Sequence, residues 1–338
     1  MTAPPDHPRV LLGKVGVLLV NLGTPQEASP AAVRRYLAEF LSDRRVVEIP
    51  PLVWQPILRG VILRVRPRKS AHAYSQVWTA EGSPLAAITA RQARALRERM
   101  GDGVLVDWAM RYGKPAIAER FQALQAQGCD RILVAPLYPQ YSAATNASVM
   151  DAVCRTMGSL RWQPALRTLP PYYDDPAYIA ALAQDLGAQI AGLSFVPEVL
   201  LLSFHGMPER TLHLGDPYHC QCRKTARLLG EALAPRFPSL RIDTTFQSRF
   251  GRAKWLEPAT DKVLAAYPAQ GVTRIAIAAP GFSADCVETV EELGIRGRET
   301  FMANGGEAFE RLECLNVSAE GTTMLEALIR RELAGWLP

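Results

Sequence analysis

The sequence predicts an α/β fold of two Rossmann-like domains, each a four-stranded parallel sheet flanked by helices, with a cleft between them. Short continuous apolar runs, typical of strands buried on both faces, alternate with segments of helical length. This alternation occurs twice along the 338 residues, with about four strands in each set. The polar residues that follow the strands would line the cleft, because ligands bind at the carboxyl ends of parallel strands.

The composition excludes several classes of protein. The chain is 48% hydrophobic and 21% charged, as in folded globular proteins. Its net charge of +5 includes no long block of like charges, so we expect no nucleic-acid partner. We find no apolar run of membrane-spanning length, no secretory signal and no CxxC pair among the six cysteines. These features predict a cytoplasmic protein with reduced thiols.

The first set begins with a buried strand at residues 15–21. Ser29 and Pro30 fit the N-cap and first position of a helix that ends near residue 41. The remaining predicted elements are helices at 84–100, 115–127 and 146–157 and strands at 104–108, 131–136 and 162–169.

Residues 49–69, which we call the lip, are both apolar and basic. Three prolines precede Arg59, and residues 59–68 include four arginines, counting Arg59 and Arg68 themselves. Two interpretations remain open. The lip is either a core helix with solvated arginines or an amphipathic surface segment that takes up an apolar ligand and touches a membrane.

The second set contains the strand at 199–204, which ends at His205. Gly206 allows backbone conformations that a tight turn needs, and Pro208 suits the start of a helix. His205 either satisfies this turn by hydrogen bonding or acts in the cleft. The other predicted elements are helices at 177–193, 222–237, 258–266 and 325–337 and strands at 242–246, 274–279 and 311–315. No glycine fingerprint for nucleotides follows any strand.

Three carboxylates follow the third strand of this set. Asp285, Glu288 and Glu292 are spaced i, i+3 and i+7, so on a helix capped by Ser283 or Asp285 they share one face. Their mutual repulsion would raise the pKa of at least one of them. They form either an exposed acidic first turn or a path for a divalent cation or protons. A pair of His205 and Glu288 would transfer protons or hold a metal loosely.

A series of ordered motifs resembles the ferrochelatase family, of the bacterial type, whose members complete haem synthesis. The motifs are LLVNLGTP at 18–25, GSP at 82–84, MRY at 110–112, YPQYS at 138–142, LSFHGMP at 202–208, GDPY at 215–218, FQSRFG at 246–251, WLEP at 255–258 and PGFSADCVET at 280–289. The resemblance covers nearly the whole chain and is stronger than any single motif.

The resemblance implies roles for individual residues. His205 would accept pyrrole protons or contact iron, with Glu288 as its partner and Asp285 and Glu292 as outer carboxylates. The positions that match porphyrin contacts are Leu22, Tyr74, Ser83, Arg111, Tyr112, Gln247 and Trp255. The implied first domain comprises residues 1–168 with the returning terminal helix at 319–338, and the second comprises residues 169–318.

The implied substrates are protoporphyrin IX and Fe²⁺, the iron being a substrate and not a bound cofactor. The alternatives are a coproporphyrin III ferrochelatase and a non-catalytic tetrapyrrole or metal carrier. Leu22 favours protoporphyrin, because the coproporphyrin branch tends to have tyrosine there. Cys286 replaces a histidine found in some members. Ala143 replaces a cluster cysteine of the animal-type enzymes and no cysteine-bearing extension is present, so we expect no iron–sulfur cluster. Peripheral contact at the inner membrane face stays open.

Overall fold

Two four-stranded parallel sheets form the centre of the protein, in a computed structural model that describes residues 7, 12–251 and 253–337. The first sheet has the strand order β2-β1-β3-β4 and the second the order β6-β5-β7-β8. The strands are β1 (Lys14–Thr24), β2 (Val104–Gly113), β3 (Cys129–Pro136), β4 (Ala165–Thr168), β5 (Val199–His205), β6 (Arg241–Gln247), β7 (Arg274–Ala278) and β8 (Ala308–Arg311). The predicted fold class is confirmed.

Helices cover both faces of the sheets. They are α1 (Pro30–Phe40), α2 (Pro51–Ile57), α3 (Leu63–Val77), α4 (Pro84–Met100), α5 (Ile117–Ala126), α6 (Ser148–Gly158), α7 (Pro176–Ala191), α8 (Glu209–His213), α9 (Tyr218–Leu233), α10 (Thr260–Ala266), α11 (Arg298–Ala303) and α12 (Ala319–Glu332). A π-helix at Leu58–Ile62 joins α2 to α3, and a second one spans Ala143–Ala147 before α6. A third, Glu288–Gly297, follows β7, and we call it the acidic helix.

Several predicted boundaries are wrong, among them the last strand, which spans Ala308–Arg311 and not residues 311–315, and two of the errors have a clear physical reason. Strand β2 does not stop at residue 108, because its pairing with β1 continues to the Thr24–Gly113 step. Helix α12 begins six residues before the predicted position 325, because the Ser318 hydroxyl accepts the Gly321 N–H (3.0 Å) and caps the helix at Ala319.

The strand order places the candidate residues at one edge of the second sheet. Strand β5 is flanked by β6 on one side and β7 on the other. The chain passes from β5 to β6 and then crosses to β7 on the opposite side, so the strand order reverses at β5. Ligands of such sheets bind outside the carboxyl ends of the strands at this switch point. His205 is the last residue of β5, and the acidic helix lies in the connection that leaves β7.

One cluster of buried hydrophobic residues includes side chains from both sheets. Its buried residues come from β1, β5, α7, α9 and α12, among them Leu19, Leu202, Leu186, Leu229 and Leu328. The amide of Gln92 on α4 donates to the carbonyls of Ser283 and Asn316, both at 2.8 Å. The two sheets are therefore packed as one body, and the domain boundary between residues 168 and 169 stays a prediction.

Helix α12 packs against elements of both halves. Arg99 of α4 donates to the Thr323 hydroxyl (2.8 Å), and Gln184 of α7 donates to Glu320 (2.9 Å). Helix α12 therefore lies against α4 and against α7, the helix that connects the sheets, and its assignment to the first domain stays a prediction.

Candidate active site

His205 is held at the end of β5 by a turn that requires glycine. The Gly206 N–H donates to the Gln247 carbonyl (2.7 Å), and a Cβ on Gly206 would lie 2.5 Å from that oxygen. The indole of Trp255 lies against the same glycine, 3.4 Å from the position of that Cβ. The His205 Nδ1 is 2.7 Å from the Gly206 carbonyl oxygen, which can only accept. In the neutral ring Nδ1 therefore carries the proton and Nε2 presents a lone pair, so His205 both satisfies the turn and remains a base.

The prediction that Asp285, Glu288 and Glu292 share one helical face is wrong. The helix begins at Glu288 and has π geometry, in which more residues fill each turn than in an α-helix, so positions four apart come into line. Asp285 precedes the helix and is 5% exposed. Its carboxylate pairs with Arg311 (2.8 Å) and accepts from the Asn316 amide (2.7 Å). The groups in line along the helix are therefore Glu288, Glu292 and Arg296, and the third glutamate of the helix, Glu291, pairs with Arg296 (2.8 Å).

Glu292 is a largely buried carboxylate on which the charge of His205 acts. Burial raises the pKa of Glu292 above its ordinary value, whereas the Ser248 hydrogen bonds and the charges of His205 and Arg296 lower it. The Ser248 N–H and hydroxyl donate to the two carboxylate oxygens at 2.8 and 2.5 Å. The predicted raised pKa is present, but loss of solvent causes it and not repulsion between carboxylates.

Glu288 links the second half of the molecule to the first. Its backbone carbonyl accepts from the Gln247 amide (3.0 Å), whose oxygen in turn accepts from the Ser203 hydroxyl (2.7 Å). Burial, and then the charge of Glu288, raise the pKa of Tyr74 well above its ordinary value. Burial and the same carboxylate also raise the pKa of the Cys286 thiol. Glu288 therefore lies where the acidic helix meets the tyrosine of α3.

Three of the predicted porphyrin contacts lie in the part of the first half that is next to Glu288. The Thr24 hydroxyl donates to the Ser83 hydroxyl (2.8 Å). Leu22 packs in the same apolar cluster as Tyr74, to which Val287 of the second half adds its side chain. The structure thus brings Leu22, Tyr74 and Ser83 together at the junction with the acidic helix.

Arg111 and Tyr112 are engaged by a carboxylate that sequence reasoning missed. Asp43 accepts from Arg111 (2.5 Å), the Tyr112 hydroxyl (2.8 Å) and the Ser148 hydroxyl (2.7 Å). Burial opposes ionisation of Asp43, yet these hydrogen bonds and that from the Arg45 N–H keep its pKa below the ordinary value. Tyr112 is only 1% exposed. That Arg111, Tyr112 and the buried Gln247 contact a porphyrin stays a prediction.

The lip presents apolar side chains to solvent. Leu52 is 93% exposed and Val65 69%, with Ile49, Val53, Ile57 and Val61 also exposed. The basic residues Arg59, Arg64, Arg68 and Lys69 are exposed beside them. The interpretation of the lip as a core helix is wrong for this face, although Leu58 and Leu63 do enter the core. No helix among the residues described is long and apolar enough to cross a membrane.

Two contacts join the lip region to the second half. The Arg66 guanidinium lies over the Phe250 ring, 4.8 Å from its centroid, and burial lowers the Arg66 pKa from its ordinary value, although arginine stays charged. Glu48, directly before the lip, pairs with Arg210 (2.7 Å). The Phe250 ring packs against Trp255, whose indole N–H donates to the Phe250 carbonyl (3.0 Å).

Sequence reasoning missed Asp43, Arg66 and Ser248. Ser248 lies within the quoted FQSRFG motif and Arg66 is one of the four arginines of the lip, which were the signals available for them, whereas Asp43 stands in no motif. Within the described part of the chain, no group of three or more His, Cys, Asp or Glu side chains is arranged to hold a metal ion. His205 and Glu288 stay the predicted contacts of an incoming cation.

Comparisons with known proteins agree with these motifs. The Ferrochelatase family model matches residues 14–333. The Ferrochelatase of Rhizobium meliloti (strain 1021) is 52% identical over 100% of both chains, and that of Agrobacterium fabrum (strain C58) is 51% identical over 99% of this chain and 98% of its own. Among solved structures, SirB from Bacillus subtilis with Fe³⁺ matches with a TM-score of 0.57 at 13% identity, over 96% of this chain and 97% of its own, and supports the fold alone. The chain belongs to the ferrochelatase family.

Proposed function

We propose that the protein inserts Fe²⁺ into protoporphyrin IX to form protohaem, the last step of haem biosynthesis. The observation that carries this proposal is the position of His205, whose Nε2 is available as a base next to the acidic helix. The family assignment supplies the reaction class, a lyase that acts on a porphyrin and iron.

Iron insertion requires that the porphyrin ring bends and that its pyrrole protons are transferred away. A flat porphyrin hides the lone pairs of its four nitrogens, and two of these nitrogens carry protons. A cleft complementary to a bent ring exposes the lone pairs and lowers the barrier. Two N–H bonds break as the Fe–N bonds form, and two protons leave. His205 accepts a pyrrole proton at Nε2, and Glu288 receives it or stabilises the imidazolium.

The walls of the cleft suit the rest of the substrate. Leu22, Tyr74 and Trp255 offer an apolar and aromatic surface to the macrocycle. Arg66 supplies a cation at the edge formed by the lip and Phe250, where it would meet the carboxylates of the ring. Gln247 supports this site by fixing the acidic helix.

An anaerobic iron-insertion assay tests the proposal. Wild-type protein should convert protoporphyrin IX to protohaem, and His205→Ala should lose nearly all turnover while porphyrin binding, followed by fluorescence, survives. His213→Ala, an exposed histidine on α8, is the matched control and should retain wild-type turnover. Near-normal turnover by His205→Ala would refute the role of this histidine.

The same assay separates the alternatives. We expect kcat/KM to be higher for protoporphyrin IX than for coproporphyrin III, because the apolar Leu22 packs where a polar residue would suit a more carboxylated ring. The opposite ranking would make the protein a coproporphyrin ferrochelatase. Porphyrin binding without product from either ring would indicate a carrier.

We also propose that the lip rests on the cytoplasmic face of the inner membrane. Its exposed apolar residues with flanking arginines and lysine have the pattern of an interfacial helix. Vesicles containing anionic phospholipid should co-sediment the wild-type protein, and Leu52→Ser with Val65→Ser should abolish this binding. Val196→Ser, which changes a residue 79% exposed elsewhere, is the control. Background sedimentation of the wild type would count against the contact.

We further propose that the protein works without an iron–sulfur cluster. Cys129, Cys222, Cys286 and Cys314 are buried thiols, and Cys154 and Cys220 are exposed. Visible spectra and iron analysis of anaerobically purified protein should show no cluster. A stoichiometric [2Fe–2S] signal would overturn this expectation.

A further inference from the structure

Ser248 has a backbone conformation that needs an explanation. It is the first residue after β6 and has a φ of +64°, in the left-handed region that residues with side chains rarely adopt. Such conformations persist where surrounding contacts enforce them, and they cluster at functional sites. Within the described residues, Asn316 is the other non-glycine residue with a positive φ.

The contacts of Ser248 converge on one carboxylate. Its N–H donates to Oε1 of Glu292 (2.8 Å) and its hydroxyl donates to Oε2 (2.5 Å). Hydrogen bonds to a charged acceptor are stronger than neutral ones, and two from one residue also fix the orientation of the carboxylate. Glu292 is thereby held by its two oxygens at the end of β6.

The residue before Ser248 ties the same point to the rest of the site. The Gln247 carbonyl accepts the Gly206 N–H (2.7 Å), next to His205, and the Gln247 amide donates to the Glu288 carbonyl (3.0 Å). Strands β5 and β6 pair in the register His205–Gln247. The dipeptide Gln247–Ser248 therefore sets the spacing between the histidine and the acidic helix.

We propose that Ser248 is a positioning residue that holds the Glu292 carboxylate as a fixed negative charge beside His205. A preoriented charge stabilises the positive charge that develops there as iron arrives and a pyrrole proton is taken up, without reorganisation during the reaction. Because each oxygen of Glu292 accepts a hydrogen bond from Ser248, which fixes the carboxylate in place, its role in this proposal is that of a fixed charge and not of a mobile carrier of iron along the helix. The inference rests on the proposed iron insertion.

Two substitutions separate the hydroxyl from the backbone. Ser248→Gly keeps the N–H and accepts a positive φ without strain, but it loses the hydroxyl. Ser248→Asn tolerates the same φ and keeps a side-chain donor. We expect Ser248→Gly to lower kcat by about tenfold, as for loss of one charge-assisted hydrogen bond, with KM for protoporphyrin changed by less than about twofold. The kcat of Ser248→Asn should be at least about threefold higher than that of Ser248→Gly.

A double-mutant cycle with Glu292→Gln completes the test. In the Glu292→Gln background, Ser248→Gly should cause no further loss of kcat, because the charge that it positions is gone. Equal losses in both backgrounds, a wild-type kcat for Ser248→Gly, or a loss confined to KM for porphyrin would overturn the inference. Thermal melting of each variant identifies a loss caused by unfolding, which would also count against a positioning role. Wild-type protein that forms no haem in the same assay would instead refute the proposed function.

Discussion

At the scale of single residues, the position of His205 depends on the glycine after it. We predict that Gly206→Ala lowers both the melting temperature and turnover, because the added Cβ would lie 2.5 Å from the Gln247 carbonyl and would push β5 away from β6. Calorimetry and the iron-insertion assay measure the two effects. Gly158→Ala, at a helical position with no atom within 4 Å of the new Cβ, is the control and should not destabilise the protein. Equal behaviour of the two variants would show that β5 tolerates the clash.

Glu288 and Glu292 of the acidic helix should differ in importance. Glu288→Gln should impair turnover more than Glu292→Gln, because the charge of Glu288 acts on Tyr74 of the first half, whereas both oxygens of Glu292 are held by Ser248 and its proposed role is that of a fixed charge. Steady-state kcat under anaerobic conditions gives the ranking. The reverse ranking would place the chemistry further along the helix.

Asp43 should make the stability of the first half depend on pH. Its pKa is depressed in the folded protein, so its contribution to stability is present above the ordinary carboxyl range and is lost as the pH falls through the folded-state pKa. The difference in melting temperature between wild type and Asp43→Asn should therefore be largest at neutral pH and shrink below about pH 4. Asp102→Asn, in the exposed turn before β2, should leave the melting profile unchanged. A difference between wild type and Asp43→Asn that stays constant down to pH 3 would contradict this assignment.

At the scale of elements, strands were more predictable than the acidic helix. Continuous apolar runs located β1, β3, β5 and β7, because burial on both faces leaves a clear pattern. The acidic helix was misplaced, because an α-helical period was applied to a π-helix, and no residue type distinguishes the two. Asp285 was placed on one face with Glu288 and Glu292, although it pairs with Arg311, at the end of β8, and with Asn316, in the segment after β8, which sequence spacing cannot reveal.

The Asp285–Arg311 pair fastens the start of the acidic helix to β8. We predict that Asp285→Asn destabilises the protein by about 3 kcal/mol, because it leaves a largely buried guanidinium without its counter-charge. Denaturant titration measures this change. The double variant Asp285→Asn, Arg311→Met should be less destabilised than the single one. Normal stability with lost turnover would instead return Asp285 to the path of iron.

At the scale of the whole molecule, the shared core predicts a single unfolding transition. The largest apolar cluster takes residues from both sheets, and Gln92 bonds two carbonyls of the opposite half. Far-ultraviolet circular dichroism and tryptophan fluorescence should report one coincident midpoint in denaturant. Two separated midpoints would mean that the halves fold independently, as the sequence-based division into two domains suggests.

The two-lobed architecture followed from the sequence because the same β/α alternation occurs twice. The contacts between the halves did not, because they depend on buried side chains such as Tyr178, whose hydroxyl donates to the Pro280 carbonyl. Residues far apart in the chain meet there without any local pattern. The motifs located His205 and Glu288, but the network of Asp43 and the contacts of Ser248 needed coordinates.

The core shared by the two halves joins β1 and β5, whereas the lip region is joined to the second half by surface contacts, namely the exposed ion pair Glu48–Arg210 and Arg66 against Phe250. If the ring binds between the halves as proposed, the core would set the curvature of the ring, and the surface contacts would set how long the finished product stays bound. Ionic strength, which weakens exposed ion pairs, should shorten that dwell time and leave the curvature unchanged.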